Sequence, residues 1–210
     1  KKKSVRAFLT KLHLIPVYRP RDGKSNMYKN KESFSKAIQQ MCLGDSILIF
    51  SEGMSHMGKH LFPFKTGTAR IAIQGVEETG KEVVVIPISV SYTHFMKQQK
   101  SVYINIAKPI KASEYYDSSL NDIDQNKLVV KMTAKIESTV RENLVLVEPD
   151  QIPIYNREIK DYRDSLANSN LPWIVHSRNG LSKEIEFAKQ FEQNKEVLFS
   201  NPQKKGFNIQ

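Results

Sequence analysis

The alternation of apolar and polar positions divides the chain into short pieces of unlike period. Residues 14–18 form an apolar run containing β-branched Val17 and aromatic Tyr18, and a basic, turn-rich loop at 19–30 follows with Pro20, Asp22 and Gly23. This pattern predicts a strand that ends at Arg19. From residue 32 to 43, Phe34, Ile38 and Met41 recur at helical spacing beside Ala37 and Cys42, and Gly44 stands where a left-handed cap closes a helix. Residues 46–51 are nearly continuously apolar, the pattern of a parallel strand buried on both faces. Residues 67–79 place Ala69, Ile73 and Val76 on one helical face and stop before Gly80.

The run at 83–90 is β-branched with Pro87 inside it, which predicts a bulge or an edge position, and Val102, Ile104 and Ile106 alternate in a further strand. The order strand, helix, strand, helix, strand predicts an α/β layer fold: a central mixed, largely parallel sheet flanked by helices. Beyond Pro109 the pattern changes. Val129, Met132, Ile136, Val140, Leu144 and Val147 form one long helical stripe, expected to cover the sheet. Residues 150–180 read as polar with scattered aromatics, and 181–198 give another helical pattern with Ile185, Ala188 and Phe191 on one side. The expected organisation is a core at 1–112 and a helical C-terminal part at 113–210, without internal repeats.

Composition narrows the classes. The 210 residues are 40% hydrophobic and 26% charged, a balance that supports one globular domain with a core rather than disorder. A single cysteine, Cys42, forms no internal disulfide, so a cytoplasmic or cytosol-facing location is expected. No apolar stretch approaches the roughly 20 residues that a spanning helix needs. The chain begins with Lys1 and has no apolar signal core after its basic start, which reads as a processing boundary with sequence missing upstream.

Charge is uneven: residues 1–31 hold ten Lys and Arg against Asp22 alone, so they supply +9 of the formal +10. Such a concentration attracts phosphates, whether of nucleic acid, an anionic bilayer or a small substrate. Aromatics interleaved with these charges are sparse, namely Phe8, Tyr18 and Tyr28, which argues against a single-strand nucleic-acid platform.

Two carboxyl-terminal strand ends carry candidate chemistry. Residues 49–53 end an apolar run on Glu52 and Gly53, and ligands of open α/β sheets bind where strands end in this way. Arg19 ends the run at 14–18, and its guanidinium can hold a phosphate through two parallel hydrogen bonds. Taken singly, each is more simply a solvated charge. Gly53, Gly58 and Lys59 have phosphate-loop spacing, but His60 stands where Ser or Thr must ligate magnesium, and Pro63 obstructs the following helix. His56 and His60 are four apart, yet Gly58 between them and the lack of a third ligand argue for ordinary loop histidines rather than a zinc site.

Their order changes the reading. Residues 14–19, ending in Tyr18 and Arg19, then 49–53, then 65–69 (Lys65, Thr66, Gly67, Thr68, Ala69), then 85–88 around Pro87, resemble in order and separation the second to fourth blocks of the glycerol-phosphate and lysophosphatidic acid acyltransferases. The resemblance covers about residues 5–110. It implies that Arg19 binds the phosphate of the acyl acceptor, that Glu52 and Gly53 shape the acceptor site with Lys65 adding positive charge, and that Pro87 helps form the acyl side. It implies transfer of a fatty acyl group from acyl-CoA or acyl carrier protein, with no further cofactor, to the hydroxyl of a glycerol phosphate or lysophospholipid. The same resemblance implies work at an anionic membrane surface, peripheral or anchored, with no nucleic-acid partner.

This sequence departs from the family pattern twice. Ser51 stands for the third block's proline, and Met54, Ser55 and His56 stand for its Thr-Arg-Ser end. None of His13, His56, His60, His94 and His176 has an aspartate five positions later, so the first block's histidine and aspartate are absent. In the family that pair deprotonates the attacking hydroxyl. The block would fall upstream of Lys1, and the chain is expected to be an N-terminally truncated fragment, inactive by itself. The alternative is a non-catalytic lipid- or phosphate-binding module on the same fold.

Overall fold

The computed structural model describes residues 13–18, 28–54, 60–92, 102–144, 146–147, 150–167, 186–191 and 193–194. The described chain is arranged as α1 (Lys29–Cys42), α2 (Gly67–Thr79), β1 (Val84–Val85), β2 (Ile88–Tyr92), β3 (Val102–Ile106), β4 (Ile110–Lys111), a 3-10 turn (Ala112–Tyr115), α3 (Asp122–Glu142) and α4 (Ile152–Ala167). It divides into two units. The first comprises Lys1–Gly53, Phe64–Val85 and Pro109–Lys135; the second comprises Met54–Pro63, Ile86–Lys108 and Ile136–Gln210.

In the first unit α1 and α2 meet through Ala37, Ile38 and Ile71, with Ile15, Phe34, Met41, Ile47 and Ile49 packed around them. The helical spacing of these apolar positions is what lets each helix put one stripe on the other. Both helices stop at glycines: Gly44 has φ +93° just beyond α1, and Gly80 has φ +64° and donates its N–H to the Val76 carbonyl. A left-handed turn at a helix end costs glycine little and other residues more. β1 pairs antiparallel with β4, Val84 opposite Lys111. The 3-10 turn that follows is clasped by Glu82, whose carboxylate accepts the Ser113 hydroxyl at 2.6 Å and the Ser113 N–H at 3.2 Å. Asn121 caps α3, its side-chain oxygen accepting the Asp124 N–H at 2.9 Å.

In the second unit β2 and β3 form an antiparallel ribbon with Ile88 opposite Ile106 and Val90 opposite Ile104. A separate core gathers Val147 and Tyr155, Ile159, Phe187, Ala188 and Phe191, all buried. The Tyr155 ring meets Phe191 edge-on at 5.2 Å between centroids.

The expected large parallel sheet is corrected here. Among the described residues the only ladders are two antiparallel pairs, β1 with β4 and β2 with β3. Residues 46–51 join neither, and only one side of them is covered: Ile47 and Ile49 pack toward α1, while Leu48 and Phe50 are 76% and 81% exposed. An apolar run records that side chains are hydrophobic, not that both faces find partners. Residues 14–18 are extended without a ladder because α1 side chains take up their backbone groups. Ser33 donates its hydroxyl to the Pro16 carbonyl at 2.5 Å, and the Asn30 amide both accepts from the Tyr18 N–H and donates to its carbonyl at 2.8 Å.

Three local expectations hold. Residues 67–79 are helical from end to end, Pro87 separates β1 from β2, and the stripe from Val129 to Val140 lies on α3. Leu144 and Val147 fall beyond the end of that helix. Helix α4 occupies a stretch read as merely polar.

Candidate acceptor site

The candidate site is built on a turn in the first unit. Gly53 donates its N–H to the Phe50 carbonyl at 3.1 Å, so residues 50–53 close a four-residue turn whose last position has φ +68°. The turn brings Glu52, half-buried, to the end of the extended run at 47–50. Two hydrogen bonds then staple it to the start of α2. The Lys65 N–H donates to the Ser51 carbonyl at 2.8 Å, and the Ser51 and Thr68 hydroxyls lie 2.8 Å apart.

A Cβ on Gly53 would stand 3.5 Å from Cγ of Lys65, ordinary van der Waals contact, so the glycine is required by its backbone angle and not by crowding. The structure thus brings together three of the residues singled out from the sequence, Glu52, Gly53 and Lys65. Ser51, a departure from the family pattern, is the residue that ties them to α2. The sequence held the signal for this contact, a hydroxyl at 51 and another at 68, but nothing in their spacing announces that they meet.

The electrostatics favour an anion beside a carboxylate. The Lys65 side chain is exposed, and the first turn of α2 contains no acidic residue. The first N–H groups of a helix have no partner within it, and with the helix dipole they favour negative charge. Arg70 crosses back along the helix, its Nε donating to the Thr66 hydroxyl at 3.3 Å. A cation and helix-start N–H groups can take an anion, and a nearby carboxylate can accept a hydrogen bond.

Arg19 lies outside the described residues, although Tyr18, its chain neighbour, is fixed to α1 by Asn30. Pro87 belongs to the second unit, where it is buried and its carbonyl accepts the Ala107 N–H at 3.0 Å. Gly58, Lys59 and His56 also lie outside the described residues, as do residues 1–12 and 19–27 of the basic segment. His60 is described and sits edge-on to Phe62 at 4.9 Å between ring centroids. No helix among the described residues is long and apolar enough to cross a membrane.

A family model described as acyltransferase matches residues 1–91. Over 150 residues the chain is 29% identical to glycerol-3-phosphate O-acyltransferase 2 of Saccharomyces cerevisiae, an alignment that covers 70% of this chain and 20% of that protein. The chain therefore spans about a fifth of the length of the curated relative it matches. No solved structure matches it. All four stretches read as motif blocks, at 14–19, 49–53, 65–69 and 85–88, fall within the matched residues 1–91.

Proposed function

We propose, on the premise that residues 1–91 belong to an acyltransferase family of the glycerolipid type, that this chain supplies the acceptor-binding part of an enzyme that acylates a glycerol phosphate or lysophospholipid. The observation that carries the reading is the staple of Ser51 to Lys65 and Thr68, which gathers Glu52, Gly53 and Lys65 beside the start of α2. Arg19 and Lys65 hold the acceptor phosphate as cations. Glu52, which a phosphate would avoid, accepts a hydrogen bond from a hydroxyl of the glycerol backbone, and Gly53 lets the backbone approach it. A role for Pro87 toward the acyl donor rests on the family resemblance alone. The donor is a fatty acyl thioester of coenzyme A or acyl carrier protein, and the work takes place at the cytosolic surface of an anionic bilayer, which the concentration of basic residues at 1–31 supports.

The reaction needs a base to take the proton from the attacking hydroxyl, and the sequence has no histidine and aspartate at the family's spacing. This chain alone accordingly binds acceptor without turning it over, and a His–Asp pair from elsewhere in the protein completes the site. The second reading, a non-catalytic lipid- or phosphate-binding module, is favoured by that same absence. Acyl transfer from a long-chain acyl-CoA to glycerol 3-phosphate or lysophosphatidate, measured on the protein that carries this chain, separates them. Transfer supports the enzyme; saturable acceptor binding with no ester formed supports the module.

A further inference from the structure

The turn that carries Glu52 is held to α2 at two points. The first is a main-chain bond, the Lys65 N–H on the Ser51 carbonyl at 2.8 Å; the second joins side chains, the Ser51 and Thr68 hydroxyls 2.8 Å apart. Either hydroxyl can be the donor. A turn joined by one bond can swing about it, whereas two separated points fix its orientation. The Gly53 N–H on the Phe50 carbonyl at 3.1 Å closes the turn within itself, so it moves as a unit and takes Glu52 with it. Helix α2 is the fixed side of this joint: Ala69, Ala72 and Ile73 are buried, and a Cβ on Gly67 would stand 3.7 Å from the Phe34 ring of α1. The Thr66 hydroxyl is engaged by Arg70 Nε at 3.3 Å, so the two threonine hydroxyls at the start of α2 have separate partners.

We propose that Ser51 and Thr68 are positioning residues for the acyl acceptor: their hydroxyl pair sets the direction of Glu52, and with it the affinity for the hydroxyl that Glu52 accepts. The inference rests on the proposed role of Glu52 toward the glycerol backbone and adds the two residues that aim it. A hydrogen bond weakens steeply as its angle leaves the optimum, so a small swing of the turn loosens the acceptor although the carboxylate itself is intact. Thr68 suits the fixed end of the pair, because a β-branched side chain on a helix has few χ1 rotamers and its hydroxyl direction is largely preset. Position 51 keeps its main-chain bond to Lys65 whatever side chain it carries, so loss of the hydroxyl loosens the turn without releasing it. A purely structural bond would differ in its consequence: its loss would lower folding stability and leave acceptor binding untouched.

The test is steady-state acyl transfer to glycerol 3-phosphate or lysophosphatidate by the full-length protein, with acceptor and donor varied in turn. Ser51→Ala and Thr68→Val each remove one hydroxyl with little change of shape, and each is expected to raise the acceptor KM about fivefold with the donor KM unchanged. Both break the same bond, so the double variant is expected to match the single ones rather than multiply them. Thr68→Ser keeps the hydroxyl and is expected to stay within about twofold of the wild type. Urea unfolding shows which variants are folded; if one single variant is not, the other removes the same bond and carries the test. Acceptor and donor KM rising together, effects that multiply in the double variant, or unchanged kinetics in folded variants overturn the inference, while transfer by the wild type keeps the proposed function. No transfer by the wild type to any glycerol-phosphate acceptor removes both.

Discussion

The side chain of Asn30, in the first turn of α1, holds the backbone of Tyr18 from both sides, accepting its N–H and donating to its carbonyl, each at 2.8 Å. Tyr18 is the last residue before Arg19, so this pair fixes the chain where the proposed phosphate ligand begins. A backbone unit held by a side-chain amide behaves as though paired in a sheet, which is why residues 14–18 are extended with no strand beside them.

Replacing that amide tests the relationship. Asn30→Ala leaves the part-buried N–H and carbonyl of Tyr18 unpaired, a loss of about 1–3 kcal/mol of folding stability. Urea unfolding of the chain measures it. In the full-length protein the same change is expected to raise the acceptor KM less than removal of Arg19 does, since it loosens the ligand without deleting it.

Gly53 makes a sharper prediction because crowding is not involved. With φ +68° and only ordinary contact awaiting a Cβ, Gly53→Ala costs about 1–2 kcal/mol through backbone strain alone. Gly53→Asn, whose side chain tolerates the left-handed region, costs less. Thermal or urea unfolding of the two variants should place alanine below asparagine; the reverse order would point to a steric cause.

The clasp of Glu82 on Ser113 predicts a pH dependence. The Ser113 hydroxyl, as the largest cause, holds the Glu82 carboxyl below its ordinary range, helped by the Ser113 N–H and by Lys111 and opposed by partial desolvation. A carboxyl depressed in the folded state contributes stability that is present above the ordinary glutamate value, about 4.3, and is lost as pH falls through the lower folded value. Glu82→Gln should therefore show a shallower loss of stability than wild type as pH is lowered below about 4.3, and the two should run parallel near neutrality. Because the pair is exposed, the difference is small. Unfolding midpoints measured across that range check it.

How far the sequence carried the structure differs from element to element. The helix at 67–79 was legible to the residue because an apolar stripe, Gly67 and Gly80 all agree, and the break at Pro87 was legible because proline cannot donate to a ladder. The run at 46–51 misled because hydrophobicity without alternation does not say how many faces are covered. Helix α4 was missed although Ile152, Tyr155 and Ile159 lie at helical spacing; Pro153 stands so near its start that it breaks nothing. At the candidate site the motif order singled out Glu52, Gly53 and Lys65, which the structure places next to one another. Their staple through Ser51 and Thr68 was not legible, since a hydrogen bond between distant hydroxyls leaves no periodic trace.

The most direct test of the proposed acceptor site is steady-state acyl transfer to glycerol 3-phosphate or lysophosphatidate by the full-length protein and its Arg19→Ala variant, varying acceptor and donor in turn. Losing a charge-assisted hydrogen bond to phosphate is worth about 1.5–3 kcal/mol, so the acceptor KM should rise by about tenfold to a hundredfold, with the donor KM unchanged. An unchanged acceptor KM, or no transfer to any glycerol-phosphate acceptor by the wild type, contradicts the account.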